Sequence, residues 1–229
     1  MEIITLKSRI DDFAGIHPEL FKIMDYFKQF PFITKETIRD NLENFFINVG
    51  GREYITTGGS TGIPTGFYLD KIAFANELAS KAHQYYRIGW KEGDRQRVLR
   101  GLSIKSKNHM LSYPKYNELG CSSYFLSPEF MRIYYEKALQ YSPDWIRCYT
   151  STGYIFARFI KDNRLTFPRL KGILCAFKNL YDFQKDLLHE TLECLVFSHY
   201  GHYEMAALTG FCELEDTYHV QYPATLIAT

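Results

Sequence analysis

The chain reads as a layered α/β protein, and three observations carry that reading. Short apolar runs alternate with helix-period segments through its second half: residues 145–149 precede 154–161, residues 170–175 precede 182–193, and residues 195–197 precede a Tyr-Gly turn. Strands that alternate with helices in this way predict a sheet covered by helices. The composition agrees, since 229 residues with 46% apolar and 23% charged side chains suffice to bury a sizeable core. Finally, the segments rich in glycine and hydroxyls follow strands, which is where α/β sheets bind ligands.

In chain order, Leu20, Phe21, Ile23, Met24 and Phe27 recur at helical spacing over residues 18–30. Thr34 with Thr37 is an incomplete capping box before a second helix over residues 35–46, and residues 48–51 break it. Residues 52–56 read as a short strand feeding a glycine-rich loop, and Phe67-Tyr68-Leu69 as its return strand. The spacing predicts a helix over 72–89, with Asn76, Glu77 and Lys81 on its wetter side. Residues 97–101 end a strand. Residues 145–149 form another, running into a Thr150-Ser151-Thr152-Gly153 loop, and the last predicted strand runs into a loop at Tyr200.

The loop Thr56-Thr57-Gly58-Gly59-Ser60-Thr61-Gly62-Ile63-Pro64-Thr65-Gly66 concentrates the residues that can wrap a phosphate chain. Glycines let the backbone approach a ligand with no Cβ in the way, and successive N–H groups in such a turn make a concave anion site. It is not a Walker A sequence, because no Gly-Lys-Ser/Thr follows and Pro64 does not suit the first turns of that motif's helix. Taken alone, the loop has a second reading, an ordinary surface turn between a strand and a helix, and the phosphate-wrapping reading is the stronger of the two.

Composition excludes several classes. A net charge of +1 argues against nucleic acid or an acidic membrane as partner of the whole chain. Arg87, Lys91, Arg95, Arg97, Arg100, Lys105 and Lys107 against Glu92 and Asp94 make a local basic excess that reads either as a solvated face or as the wall of an anion site. Cys121, Cys148, Cys175, Cys194 and Cys212 include no C-x-x-C pair and read as reduced, mostly buried thiols. Lys7 and Arg9 are followed at once by Asp11 and Asp12, which predicts no signal region, and no apolar run approaches the ~18 residues that span a bilayer. A cytoplasmic location is expected. Aromatic residues, 17% of the chain, read as core or interface.

Thr61-Gly62-Ile63-Pro64 and Tyr200-Gly201-His202-Tyr203-Glu204 resemble, in order, the Thr-Gly-x-Pro and Tyr-Gly-x-x-Glu signatures of the adenylate-forming enzymes. The two glycines before Ser60-Thr61-Gly62, with Phe67-Tyr68 after, look most like the phenylacetate-CoA ligase branch and its CapK-like members in capsular polysaccharide biosynthesis. Phe32-Ile33-Thr34-Lys35 and Tyr218-His219-Val220 are similar to sequences flanking these signatures. The resemblance covers roughly residues 30–220 and implies the α/β core of an adenylate-forming N-terminal domain. It also implies ATP or AMP with Mg²⁺ as cofactors and a small carboxylate as substrate, activated as its adenylate. Thr57, Gly58, Gly59, Ser60, Thr61, Gly62 and Thr65 would hold the β- and γ-phosphates. Tyr200 would stack on adenine, Gly201 would admit the ligand to the backbone, and Glu204 would help hold Mg²⁺, for which a hard oxygen ligand is suited. On spacing alone, Glu204 is as readily a solvated acid at a helix N-terminus, and His202 either touches the nucleotide or is structural. Cys212 and His219 could be half of a zinc site, short of the four ligands a structural zinc needs.

Three departures from the family pattern set further expectations. Phe177 and Lys178 stand where relatives show Ser-Glu, in the loop lining the adenine site. The family's Thr-Gly-Asp segment and its mobile C-terminal domain with a catalytic lysine are not in this sequence, so a truncated domain with weak or no adenylation by itself is expected. The alternatives are a nucleotide-binding scaffold protein, with homo-oligomers in view, and one half of a split ligase completed by a separate C-terminal polypeptide.

Overall fold

The computed structural model describes residues 32–45, 51–57, 64–69, 71–176, 179–205, 208–212 and 218–220. The expected helix over 18–30 and Phe177 and Lys178 lie outside the described residues. The chain divides after Ala75 into two units.

In the first unit, α1 (Lys35–Asp40) is capped as expected, with the Thr37 N–H donating to Thr34 Oγ1 at 3.2 Å. It is shorter than its sequence spacing suggests. Asn41 leaves helical geometry and returns its side-chain amide to the Thr37 carbonyl at 3.0 Å, so the next turn, Leu42–Asn44, is 3₁₀. Then β1 (Glu53–Thr56) and β2 (Gly66–Leu69) pair antiparallel as a hairpin, with Tyr54 opposite Tyr68 and Thr56 opposite Gly66.

Helix α2 (Lys71–Arg87) begins in the first unit and runs into the second. The second unit then carries β3 (Gln96–Arg100), β4 (Met110–Tyr113), β5 (Glu118–Ser122), α3 (Pro128–Tyr141), β6 (Trp145–Tyr149), α4 (Thr150–Asp162), β7 (Gly172–Ala176), α5 (Asp182–Leu192), β8 (Leu195–Gly201), β9 (Leu208–Phe211) and β10 (Tyr218–Val220). The eight strands lie in the order β10-β9-β8-β7-β6-β3-β5-β4. The inner five, β5, β3, β6, β7 and β8, are parallel, whereas β4, β9 and β10 pair antiparallel at the edges. The layered α/β expectation is therefore met.

The sheet buries both faces. On one side α3, α4 and α5 pack Met131, Tyr134, Phe156, Ile160, Leu188 and Leu192 against Leu99, Ile146, Ile173 and Val196. On the other, Tyr85 of α2 with Ile88 and Trp90 just beyond the helix cover Trp145, Leu174 and Phe197. Strands buried on both faces lose the alternation that marks a half-exposed strand, and β7 (Gly-Ile-Leu-Cys-Ala) is buried throughout.

Two local expectations change. Residues 150–153 are not a loop but the first turn of α4, since Thr150 and Thr152 are buried and Gly153 lies against β6. Glu77 is not on a wet face: it is 6% exposed and paired with Lys81. The helix turns Glu77 and Gln84 toward the sheet and leaves Leu78 and Tyr86 outside.

Candidate functional site

The end of β8 is where the second signature stands. In the parallel register Cys175 pairs with Ser198 and Ala176 with His199, so Tyr200 and Gly201 extend one step past β7. Both belong to the strand rather than to a loop, held by Tyr200 opposite Thr209 and Gly201 opposite Leu208 of β9. The chain then turns through His202, Tyr203 and Glu204, closed by the Met205 N–H donating to the His202 carbonyl at 3.1 Å, with Met205 at φ 55°. Tyr200 and Tyr203 are exposed, and the Tyr200 and His202 rings lie 6.4 Å apart. His202 Nδ1 and Glu204 Oε2 share a hydrogen bond of 2.7 Å. The reading of Glu204 as a helix N-terminal acid is corrected: it sits in the turn between the antiparallel strands β8 and β9. His202 is structural at least to the extent that it orients this carboxylate.

The first signature lies in the β1–β2 hairpin. Thr57 and Thr65 close its neck, with the Thr57 N–H donating to the Thr65 carbonyl at 2.9 Å and the Thr65 N–H donating to Thr57 Oγ1 at 3.1 Å. Thr65 is buried. Gly66 has no room for a side chain, because a Cβ there would meet the Tyr54 hydroxyl. Gly58, Gly59, Ser60, Thr61 and Gly62 lie outside the described residues. The two signatures belong to different units.

Around β8 the electrostatics are set by burial. His199 is 5% exposed, and burial, followed by the nearby cations Lys81 and Arg147, pushes its pKa down to about 3. It is therefore a neutral imidazole. Its ring meets that of Tyr85 at 6.0 Å, and Arg147 Nη1 donates to Gln96 Oε1 at 3.1 Å. This polar layer, Glu77, Lys81, Gln84, Gln96, Arg147 and His199, escapes a sequence reading because helix periodicity assigns Glu77 and Lys81 to water. Its one sequence-level signal is the polar spacing Glu77, Lys81, Gln84 along α2 at i, i+4, i+7.

The expected basic excess does not form one face. Arg97 is fully buried, Arg87 donates to the Phe211 carbonyl at 2.9 Å, and Arg95 bonds the Tyr141 carbonyl and faces Asp144. All five cysteines are free and buried. Cys212 lies just past β9, and His219 pairs with Gly210 in the β9–β10 ladder. Among the described residues no group of three His, Cys, Asp or Glu is placed to hold a metal ion. A separate cleft of about 440 Å³ opens between Lys185, Asp186, His189 and Glu190 of α5 and the amino end of β8, away from Tyr200.

No protein-family model matches the chain. Protein CapK of Staphylococcus aureus is 27% identical over 186 residues, covering 78% of this chain and 41% of CapK. Among solved structures, 2-hydroxyisobutyryl-CoA ligase in its postadenylation state with R3-HIB-AMP matches with a TM-score of 0.54 at 16% identity, over 87% of this chain and 45% of the ligase. The same ligase with 2-HIB-AMP and CoA in the thioesterification state gives 0.53 at 17% identity, over 87% and 46%. The fold is thus that of the N-terminal domain of the adenylate-forming ligases. In sequence the chain is similar to CapK, and it spans less than half the length of these relatives. Among the described residues no helix is long and apolar enough to cross a membrane.

Proposed function

We propose that the chain is the nucleotide-binding core of a ligase of the phenylacetate-CoA ligase branch, which takes Mg·ATP and a small carboxylate and serves carboxylate activation, with weak or no turnover by itself. The observation that carries this reading is the β8–β9 hairpin, which presents Tyr200, Gly201 and Glu204 together at the carboxyl end of a parallel sheet, the usual ligand end of such sheets.

The residues fit their roles. An exposed Tyr200 ring offers a face to adenine, and Gly201 leaves the strand end bare for a close approach. Glu204 supplies one hard carboxylate, and Mg²⁺ on nucleotides is held by one or two carboxylates together with phosphate oxygens. Its Oε2 is held by His202 Nδ1. The metal would neutralise phosphate charge as the α-phosphorus is attacked. Thr57 and Thr65 set the mouth of the hairpin whose Gly58, Gly59, Ser60, Thr61 and Gly62 would wrap the β- and γ-phosphates.

Calorimetry with Mg·ATP on the wild type, Glu204→Ala and Tyr200→Ala tests this. Micromolar binding to the wild type, weakened at least tenfold in each variant, is expected. A folded wild type that binds no adenine nucleotide overturns the reading. A second reading, a half-ligase completed by another polypeptide, is favoured by Leu78 and Tyr86, which stand 60% and 52% exposed on the outer side of α2. Carboxylate-dependent exchange of pyrophosphate into ATP by the purified chain would argue against it.

A further inference from the structure

We infer that the acid taken by this site is a dicarboxylate, whose second, unreacted carboxylate is held by Arg100 and Arg147 at the carboxyl ends of β3 and β6; this inference rests on the nucleotide-binding reading above. Trp145 of β6 lies under Tyr85 of α2, and Arg147 donates to Gln96 of the neighbouring β3. Residues two apart on a strand share a face, so Arg147 and Tyr149 of β6 stand on the α2 face of the sheet, with Gln96 and Arg100 of β3 beside them. At this end the face opens to water. Val98 and Leu99 are buried, but Arg100 is exposed, and Arg147 and Tyr149 are half-buried.

These cations lack a counter-charge. Arg147 is bonded to a neutral amide, and among the described residues neither it nor Arg100 forms an ion pair. Glu77, the carboxylate that α2 turns toward the sheet, is already paired with Lys81. The two guanidiniums act on one spot: burial raises the pKa of the Tyr85 hydroxyl, and Arg147 and Arg100 both pull against that rise. A guanidinium stays charged and binds carboxylates through paired N–H donors. Hydroxyl donors stand next to it, since a Cβ on Gly101 would lie 2.9 Å from the Tyr124 hydroxyl and 3.4 Å from that of Tyr149. Tyr124 is 70% exposed, so this group of donors is open to a ligand.

Register connects the arginines to the site. Tyr149 is level with Ala176 of β7, and Ala176 with His199 of β8, one residue before Tyr200. With neighbouring strands 4.7–4.9 Å apart, β6 lies roughly 10 Å and β3 roughly 14 Å from β8 along the same sheet end. A nucleotide at Tyr200 with an acid beside it spans that distance. In the reading above, Tyr200, Gly201 and Glu204 serve the nucleotide, whereas the acid has no group of its own. The charge of the acid decides which carboxylate the arginines suit. As an oxygen of the reacting carboxylate bonds to the α-phosphorus and pyrophosphate leaves, that carboxylate loses its charge. Cations held against it would favour the unreacted acid and slow the step. A second carboxylate keeps its charge throughout and is held equally well before and after.

Calorimetry compares glutarate with pentanoate, five-carbon acids with and without the second carboxylate, on the chain loaded with Mg²⁺ and α,β-methylene-ATP, which cannot release pyrophosphate. Glutarate is expected to bind at least tenfold more tightly than pentanoate. Arg100→Gln and Arg147→Gln should each cut glutarate affinity at least tenfold and leave pentanoate and nucleotide affinity unchanged. Arg100 is exposed, so its variant carries the test even if Arg147→Gln fails to fold. Equal or tighter binding of pentanoate, failure of both acids to bind, or undiminished glutarate affinity in Arg100→Gln overturns the inference. A loss of nucleotide affinity in Arg100→Gln with glutarate affinity intact assigns the arginine to a nucleotide phosphate and overturns it as well. If the folded wild type binds no nucleotide, the nucleotide reading fails instead, and preference for glutarate over pentanoate is then required of the nucleotide-free chain.

Discussion

Arg97 lies wholly inside the core between β3, α3 and α4, and Nε, Nη1 and Nη2 have no hydrogen-bond partner among the described residues. The guanidinium faces the rings of Tyr134 and Phe156 at 5.8 and 5.6 Å. Each desolvated cation–π contact contributes about 2 kcal/mol, against several kcal/mol for stripping water from the charge. Desolvation wins, and burial pushes the Arg97 pKa down. Arg97→Met, which keeps the volume and drops the charge, is therefore expected to raise unfolding free energy by about 1–3 kcal/mol. Urea denaturation measures this, and a clear loss of stability would show that the two rings hold the cation better than these magnitudes allow. Nothing in the sequence separates Arg97 from Arg95 or Arg100 beside it, since strand alternation sends one arginine inward only once the sheet has two covered faces.

At the level of elements, α4 shows how closely a helix can seat on its strand. An added Cβ on Gly153 would lie 2.6 Å from Cys148 Sγ and 3.4 Å from Ile173. Alanine favours a helix interior by about 1 kcal/mol over glycine, but overpacking a core costs about 1–3 kcal/mol, so Gly153→Ala should destabilise. Thermal denaturation of the variant checks the sign: a higher melting temperature would mean that α4 lifts from β6 at little cost. The amino ends of β3, β6 and β7 are tied by Asp94, which accepts from Trp145 Nε1 at 2.9 Å, Lys171 Nζ at 2.6 Å and the Lys91 N–H at 3.0 Å. Burial alone would raise the Asp94 pKa, but these donors outweigh it and hold the carboxyl low. Strands β3, β6, β7 and β8 were legible as apolar runs between turns. Strands β4, β5 and β9 and helix α3 were not: residues 113–130 mix aromatics with Gly, Pro and Ser, and they take their form from pairing with distant segments.

For the molecule as a whole, His199 links stability to pH. The native imidazole stays neutral down to about pH 3, whereas in the unfolded chain it titrates near 6.5. Above pH 6.5 both states are neutral and the full stability is present. As pH falls below 6.5 the unfolded state binds the extra proton, and stability declines by up to ~1.4 kcal/mol per unit. Between pH 7 and pH 5 the wild type should lose about 2 kcal/mol, and His199→Gln should lose markedly less; equal losses in urea titrations at the two pH values would refute the assignment. At this scale too, the sequence by itself determined the α/β class, the helix cap at Thr34, the strand before each site loop and the two signatures, because propensity, periodicity and glycine-hydroxyl chemistry are local. Only the tertiary structure decided that Glu77 and Gln84 face the sheet, that Arg97 lies in the core, that Glu204 sits in a hairpin turn bonded to His202, and that His199 is neutral. Those outcomes depend on which surfaces exclude water, and that is settled when segments far apart in the chain pack together.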